Sequence, residues 1–472
     1  MRSPFPPFAW RTSRRPPTEK ERAAVAKAAR ELLRFQRTLR GWRTPQGVPD
    51  ATPFVSLYAK GRLCGCYGSD EGPPGERLAR AFLRAVDDGR FGGVRPGERE
   101  EVVAQISWVR RPRLVNPETA ADAMELGVHG LAVVREGGRG TLLLPQVARD
   151  ERAGGKELLQ RLVQKAGLEG EGLEGQALYL FETESVIVRP GGAKARPSGI
   201  AAALDWLAAQ VKGDGTITFA VDPRARTTTA VGAMHHGRAA VLAHALAESG
   251  TRAVHRSAAE RVRRRLLADA RRALAGDAVE GWPSEATQVA GTLALLVRGG
   301  VPVREELRAF VVAQDLTRSP WHSAQAVAAL GVDAPEPLWR ACVADLDVHP
   351  WAPWTLLAAD ARGDRVVRER AARTLTAGIR AEAPHRGAGS ITDIPEVALT
   401  ALAIEALDRH PAPWARAAAR RGRAFVAGTQ LVGDRVYGAL DPDLAWGAFP
   451  ASLVADGLRC DVTAHAVLAL GR

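Results

Sequence analysis

The chain has 472 residues, of which 46% are hydrophobic and 25% charged, a composition typical of ordinary globular proteins. This length exceeds the usual size of a single hydrophobic core, so we expect two domains. The formal charge of +12 would suit a nucleic-acid partner, but the densest basic runs, at 261–265 and 416–423, lie in amphipathic helical patterns without interleaved aromatic residues. We interpret these runs as solvated helix faces and expect no binding of nucleic acid.

The four cysteines lack the spacing of a disulfide framework, which indicates a reducing compartment. No apolar run approaches the roughly 20 residues that span a bilayer. Residues 1–17 are basic and rich in proline, and they lack the apolar stretch of a secretory signal. The sequence therefore predicts a cytoplasmic protein with a disordered leader and no membrane partner.

Residues 18–190 form the first predicted domain. A capping box at Thr18–Glu21 predicts a helix that ends near Arg40. Strand-like and helical patterns alternate downstream, which predicts an α+β domain around a mainly antiparallel sheet. The predicted strands are 54–59, 104–109, 130–134, 141–144 and 177–187, and the predicted helices are 75–87 and 156–166.

The segment Gly61–Gly68, with the sequence GRLCGCYG, follows the first predicted strand and contains two of the four cysteines. Its glycines permit a tight turn and a close approach of the backbone, as in the lining of a cleft. Cys64 and Cys66 are two residues apart, so both thiols would point to one face of a continuous strand. We interpret Cys64 as structural, whereas for Cys66 a structural thiol and a reactive thiol both stay open.

Seven blocks, in register and including that segment, resemble the AMMECR domain family of bacteria and archaea over the first 190 or so residues. The family hexapeptide has an arginine where this chain has Cys64, so any anion-binding role of that position stays open. The blocks are LCGCYG (63–68), DDGRF (87–91), QISWV (105–109), ELGVHG (125–130), LLPQVA (143–148), KAGL (165–168) and LYLFE (178–182).

The resemblance implies an α/β layout of two subdomains with a cleft between them. It also implies association with Memo-like and radical-SAM proteins, which occur together with this family in the AmmeMemoRadiSam set. We therefore expect a bacterial member of a modification pathway. The sequence identifies neither the cofactor nor the reaction.

We predict a catalytic site of Cys66, His129 and Glu125. A thiol needs a nearby base or cation to become a thiolate, and His129 is the only histidine in the first predicted domain. Glu125 lies four residues earlier and could orient the imidazole. The alternative is that 125–130 is only a turn, and zinc is disfavoured because both cysteines and His129 leave a fourth ligand missing. The remaining residues predicted to bind substrate there are Gly65, Tyr67, Gly68 and Arg90.

A linker rich in Pro, Gly and Arg is predicted at 191–198, followed by a helical domain at 199–472. Apolar helical patterns alternate there with amphipathic ones, which is typical of an array of helix pairs. About a dozen helices would close a ring of six hairpins, and the last segment weakly resembles toroids of the prenyltransferase and squalene-cyclase type. We predict an α/α-toroid, with an open helical solenoid as the alternative. The apolar repeats begin at 234, 284, 320, 350, 393 and 460.

Polar side chains recur at the starts of the apolar helices and would meet at one mouth of a toroid. Such a pocket would suit an uncharged or cationic organic ligand. Alternatively, the acidic residues are ordinary helix caps and the tryptophans belong to the core. Isoprenoid catalysis is disfavoured because DLD at 345–347 and DPD at 441–443 lack the final aspartate of the cyclase acid motif. The residues predicted for the mouth are Trp321, His322, Glu396, Asp461 and His465.

Three readings of the function follow. In the first, the protein is an enzyme or a substrate-binding subunit that uses the predicted Cys/His cleft on a small molecule or peptide. In the second, it is a scaffold that binds partners without chemistry. A third reading assigns enzymatic activity on an isoprenoid or carbohydrate-like compound to the toroid.

Overall fold

The computed structural model describes residues 9–35, 46–135, 140–151, 153–189, 196–224, 227–230, 236–344, 352–379, 396–432, 435–436, 440–452, 455 and 457–471. The chain divides into two compact units. The first unit is Met1–Ala195 with 433–442 and 453–455, and the second unit is Arg196–Val432 with 443–452 and 456–472. Within the described ranges, no helix has the length and apolar character needed to cross a membrane.

The first unit is built on one antiparallel sheet of six strands, in the order β2-β1-β3-β6-β4-β5. This arrangement confirms the predicted α+β class. It also contains a strand, β2, in the segment that the sequence suggested to be a turn. The elements are α1 (Glu19–Phe35), β1 (Pro53–Ala59), β2 (Arg62–Gly68), α2 (Pro74–Val86), β3 (Val103–Leu114), α3 (Ala120–Ala123), β4 (Gly130–Val134), β5 (Gly140–Leu143), α4 (Gln146–Asp150), α5 (Gly155–Ala166) and β6 (Ala177–Val188).

Two apolar clusters hold helices against this sheet. Leu32 of α1 and Phe82 of α2 are buried in one cluster with Leu57 of β1. Leu162 of α5 is buried in a second cluster with Leu131 of β4. Full burial of side chains of this size stabilises the fold by about 1.5–3 kcal/mol each, so these contacts fix the helices relative to the strands.

Strand β2 contains an irregularity that separates its two cysteines. Leu57 pairs with Gly65 but Tyr58 pairs with Leu63, so Cys64 is an extra residue without a partner in the register. Such a bulge breaks the alternation of side chains along a strand. Cys64 is buried in the cluster of α1 and α2, whereas Cys66 packs against a different cluster that contains Phe54. The expectation that both thiols share one face is therefore wrong.

Gly65 lies where α2 comes closest to the sheet. A Cβ atom at this position would lie 1.8 Å from the carbonyl oxygen of Ala85 and 3.0 Å from Cβ of Asp88. The first of these atoms belongs to the main chain and cannot move aside without moving the end of α2. Only glycine is therefore compatible with this spacing.

After β6 the chain is mainly helical, which confirms the helical character predicted for this region. It also contains a small antiparallel sheet in the order β8-β7-β9. The repeat starts at 234, 350 and 393, and the DLD segment at 345–347, lie outside the described residues. The elements are α6 (Gly199–Ala209), β7 (Thr218–Asp222), β8 (Thr227–Ala230), α7 (His236–Ser249), α8 (Ala253–Leu274), α9 (Ala286–Arg298), α10 (Arg304–Ala313), α11 (Pro320–Leu330), α12 (Glu336–Ala344), α13 (Ala352–Arg362), α14 (Arg365–Gly378), α15 (Val397–Asp408), α16 (Pro413–Thr429), α17 (Pro442–Ala445), β9 (Leu458–Arg459) and α18 (Cys460–Leu470).

Six helices of the second unit contact one another in a cycle. Helix α7 packs on α9, α9 on α11, α11 on α13, α13 on α15, α15 on α18, and α18 again on α7. Helices α8, α10, α12, α14 and α16 each pack on the cycle helix that precedes them, and α6 packs on α18. Cycle helices such as α15 and α18 are apolar nearly all round, as buried helices are, whereas α8 carries a row of arginines.

Substitution of Gly65 by alanine should lower the free energy of unfolding by about 1–3 kcal/mol, because the new methyl group overpacks the contact with α2. Gly89 is the matched control, since a Cβ atom there would have no neighbour within 4 Å. Alanine at Gly89 should change stability by no more than about 0.5 kcal/mol. Urea unfolding of both variants measures the difference, and equal losses would contradict the role given to Gly65.

Candidate functional site

Cys66 lies at the edge of the first unit's sheet, on the outermost strand β2. It pairs with Ser56 of β1, whose hydroxyl donates a hydrogen bond to the thiol sulfur at 3.4 Å. The amide of Gln146, at the start of α4, donates to the same hydroxyl at 3.5 Å. Of the four cysteines, Cys66 is the half-buried one and the others are buried.

The loop after α2 completes the hydrogen bonding of Cys66 at the sheet edge. The carboxylate of Asp88 accepts from the Cys66 amide at 3.0 Å, and the guanidinium of Arg90 donates to the Cys66 carbonyl at 2.6 Å. Asp88 and Arg90 also form an ion pair at 2.7 Å. Burial disfavours the charged form of Asp88, but the hydrogen bonds from Arg90 and from the Cys66 amide outweigh it and lower the carboxyl pKa.

Lys165 supplies a second titratable group beside the thiol. Its ammonium donates to the carbonyl of Leu142 at 2.9 Å, and its charge acts on the pKa of Cys66. Burial raises the pKa of Cys66 and lowers the pKa of Lys165. Desolvation therefore favours the uncharged forms of both side chains, a thiol and an amine.

His129 and Glu125 form a buried turn before β4. The ring nitrogen Nδ1 of His129 accepts a hydrogen bond from the Glu125 amide at 3.0 Å, and Gly127 between them has φ +76°. This is the turn-forming role that the sequence left open as the alternative. The contacts described above for Cys66 come from Ser56, Asp88, Arg90 and Lys165, so a catalytic role of His129 and Glu125 stays a prediction.

The other predicted binding residues of this site lie along β2. The Tyr67 hydroxyl accepts from Arg84 at 2.6 Å, and the Arg84 guanidinium lies 5.0 Å from the tyrosine ring centroid. A Cβ atom on Gly68 would lie 2.5 Å from the Phe54 ring, which explains glycine there. Sequence reasoning missed Ser56, Asp88 and Lys165, although the DDGRF and KAGL blocks contain two of them.

The second unit contains a cavity of about 620 Å³. A volume of this size is ordinary for small-molecule sites. The structure brings all the residues predicted for the toroid mouth to its lining. They are Trp321, His322, Glu396, Asp461 and His465.

One wall of this cavity is an ion-pair cluster. Asp461 is only 6% exposed and accepts from the guanidinium of Arg459 through both carboxylate oxygens, at 3.0 Å for Nε. Nε of Arg238 lies 3.5 Å from the same carboxylate. Burial raises the pKa of Asp461, but the Arg459 hydrogen bond and both guanidinium charges outweigh it and lower the pKa. The two arginines were not predicted from the sequence.

Other residues of the cavity lining are imidazole and aromatic side chains. The Nδ1 atom of His322 is hydrogen-bonded to the Ser319 hydroxyl at 2.8 Å, and burial lowers the pKa of His322 and of His465. Burial therefore favours the neutral form of both imidazoles. Trp321 and Trp354 pack edge to face with ring centroids 6.3 Å apart.

Comparisons with known proteins identify the first unit. The AMMECR1 family model matches residues 12–186. A protein of Methanosarcina acetivorans is 32% identical over 184 residues, which cover 35% of this chain and 90% of that protein. A protein of Methanothermobacter thermautotrophicus is 36% identical over 154 residues, covering 30% of this chain and 77% of its own length.

The crystal structure of the uncharacterized protein PH0010 from Pyrococcus horikoshii is also similar, with 26% sequence identity and a TM-score of 0.30 over 37% of this chain and 94% of that chain. These relatives are archaeal. From the family match and the near-complete coverage of the Methanosarcina protein, we conclude that this chain belongs to the AMMECR1 family.

Proposed function

We propose that the first unit binds a small-molecule or peptide substrate at Cys66 and acts in a modification pathway of the AmmeMemoRadiSam type, beside Memo-like and radical-SAM proteins. The observation that carries the proposal is the convergence of three charged residues on Cys66: Asp88 and Arg90 bind its main chain, and the charge of Lys165 acts on its half-buried thiol. Clusters of titratable groups with shifted pKa values mark functional sites more often than surface positions do. The domain boundaries that we propose are 18–190 and 199–472.

The chemistry available at this site follows from a thiol whose pKa burial raises and a lysine whose pKa burial lowers. A thiol is a weak nucleophile until its proton is removed. The amine of Lys165 can accept that proton, which would leave a thiolate next to an ammonium. Within the proposal, substrate binding at the sheet edge favours this transfer, and the Cys66 main chain stays fixed by Asp88 and Arg90.

Alkylation of Cys66 by iodoacetamide should be slower than alkylation of glutathione at pH 7 and should accelerate as the pH rises toward 10. The reason is that burial raises the pKa of this thiol, so the reactive thiolate is scarce at neutral pH. Mass spectrometry after timed quenching measures the rate. A Cys66→Ser variant identifies the labelled site.

The role of Lys165 is tested in the same assay. Lys165→Met should slow alkylation of Cys66 at pH 8–9 by about tenfold, because an ammonium charge lowers the thiol pKa. Lys165→Arg should preserve most of the rate. Lys156, exposed on the same helix, provides the control variant Lys156→Met. A thiol that stays inert up to pH 10 would instead support the scaffold function.

For the second unit we propose an α/α-toroid of six helix hairpins with a small-molecule site in its cavity. The cycle α7-α9-α11-α13-α15-α18 supports this architecture, and α6 packing on α18 supplies the sixth outer helix. The convergence of Trp321, His322, Asp461 and His465 on one cavity supports the ligand site. Isoprenoid cyclisation stays disfavoured, since 441–443 lacks the required final aspartate.

A large side chain inside the cavity should abolish ligand binding. Thr292 of α9 is 8% exposed and lines the cavity, so Thr292→Trp would fill part of it. Val312 of α10 is 72% exposed, and Val312→Trp is the control of equal bulk. Saturation-transfer NMR with benzamide, benzoate and benzylamine should show at least one binder that only the first variant loses. Equal signals in both variants would contradict the proposed site, provided that circular dichroism shows both to be folded.

A further inference from the structure

We infer that the cavity of the second unit binds an organic anion, a carboxylate or a phosphate on an apolar body, and that Arg238 is the residue that binds the anionic group. This inference rests on the proposal that the cavity is a small-molecule site. It replaces the expectation of an uncharged or cationic ligand. Arg238, Asp461 and Arg459 form a row of alternating charges along one wall of the cavity.

The positive charge of Arg238 is only partly balanced by the carboxylate it contacts. Its side chain is 36% exposed and lines the cavity from the first turn of α7. Asp461 is the only carboxylate within 4.0 Å of it in the described part of the chain. Both oxygens of that carboxylate already accept from Arg459, so two guanidinium groups share one negative charge. A guanidinium in such a wall gains from a second, planar anionic partner.

Glu396 does not remove this imbalance. It is exposed at the start of α15, and its charge acts on Arg459. The charged groups thus alternate in the order Arg238, Asp461, Arg459 and Glu396, which leaves Arg238 at the end with one carboxylate partner and a cation–π contact to the Phe219 ring at 5.5 Å. A cation placed at Arg238 would meet this guanidinium with repulsion, since the Asp461 carboxylate behind it is buried and already bonded to Arg459.

Uncharged donors elsewhere in the cavity lining suit an anion as well. Gln325 is 5% exposed and lines the cavity, and its amide makes no hydrogen bond within the ranges that the structure describes. His322 lies next to it, and burial lowers the pKa of this imidazole and so favours its neutral form. A Cβ atom on Gly291 would lie 2.4 Å from Cδ2 of His322 and 2.7 Å from Oε1 of Gln325. The absence of a side chain at Gly291 therefore makes room for both groups at the cavity wall.

Much of the remaining lining is apolar and large enough for a hydrophobic body. Leu295, Leu402 and Trp354 line the cavity, and the volume of about 620 Å³ holds a molecule of several rings. The geometry therefore suits an amphipathic anion with its charge at Arg238. An inorganic ion alone would leave this apolar surface in contact with water.

Isothermal titration of the full chain with probes of one size and different charge tests the inference. The probes are benzoate, phenyl phosphate, benzamide and benzylamine. Benzoate or phenyl phosphate should bind at least about tenfold more tightly than benzamide and benzylamine, as a charge-assisted pair in a half-buried wall provides. The ratio of the two anions distinguishes a carboxylate ligand from a phosphate.

Substitutions of Arg238 then test whether this residue binds the anionic group. Arg238→Met should weaken the preferred anion by about tenfold and leave benzamide within about twofold, and Arg238→Lys should restore part of the affinity. Arg264 of α8 is 71% exposed with an ion pair to Glu260, so Arg264→Met is the matched control. Circular dichroism checks the fold of each variant, and the Lys variant keeps the test valid if the Met variant unfolds.

The outcomes distinguish a failure of the anion inference from a failure of the proposed small-molecule site. If benzamide or benzylamine binds as tightly as the anions, the anion inference is overturned and the proposed cavity site survives. If no probe binds, both are overturned. If Arg238→Met binds benzoate as tightly as the unaltered chain does, the assignment of Arg238 is overturned.

Discussion

The first unit depends on one contact between main chains, at the point where the end of α2 meets Gly65. A carbonyl oxygen occupies the space that any side chain there would need. This contact allows the loop after α2 to reach the edge of the sheet, where Asp88 and Arg90 satisfy the amide and carbonyl of Cys66. The Asp88–Arg90 ion pair thus binds main-chain groups of Cys66 at the open edge of β2. The same two residues bring charged groups close to the thiol. Fold and candidate site thus share one constraint.

The sequence predicts most of this unit because its signals are local. Alternating residues predict β1, β4 and β6 within a residue or two at either end, and the ordered blocks indicate the family. The surroundings of Cys66 depend instead on pairing between distant segments. Ser56 is opposite Cys66 only because a bulge shifts the register of β2, and Lys165 approaches from a helix far along the chain. His129 was predicted because it is the only histidine of the first predicted domain. That reason concerns composition and says nothing about which residues contact Cys66.

In the second unit, the sequence predicts several residues of the candidate site but not the charges around them. Repeated helix starts predict which residues come together in the cavity, since residues from the starts of α11, α15 and α18 all line it. They do not predict the charge of the wall. In the sequence, Arg238 and Arg459 look like the many solvated arginines of this chain. Only the structure shows that both pair with the buried carboxylate of Asp461. A charge pattern depends on which ions share partners, and that is decided by tertiary structure.

The bulge at Cys64 has a consequence for oxidation. A disulfide needs two Cβ atoms that face each other at about 3.5–4.5 Å. Cys64 and Cys66 belong to different clusters on the two sides of the strand, so the Cys-x-Cys sequence is not a dithiol couple. An oxidant that reaches the half-buried Cys66 would therefore meet a solitary sulfur without a resolving partner on its own strand. Its first product would be a sulfenic acid, open to an external thiol.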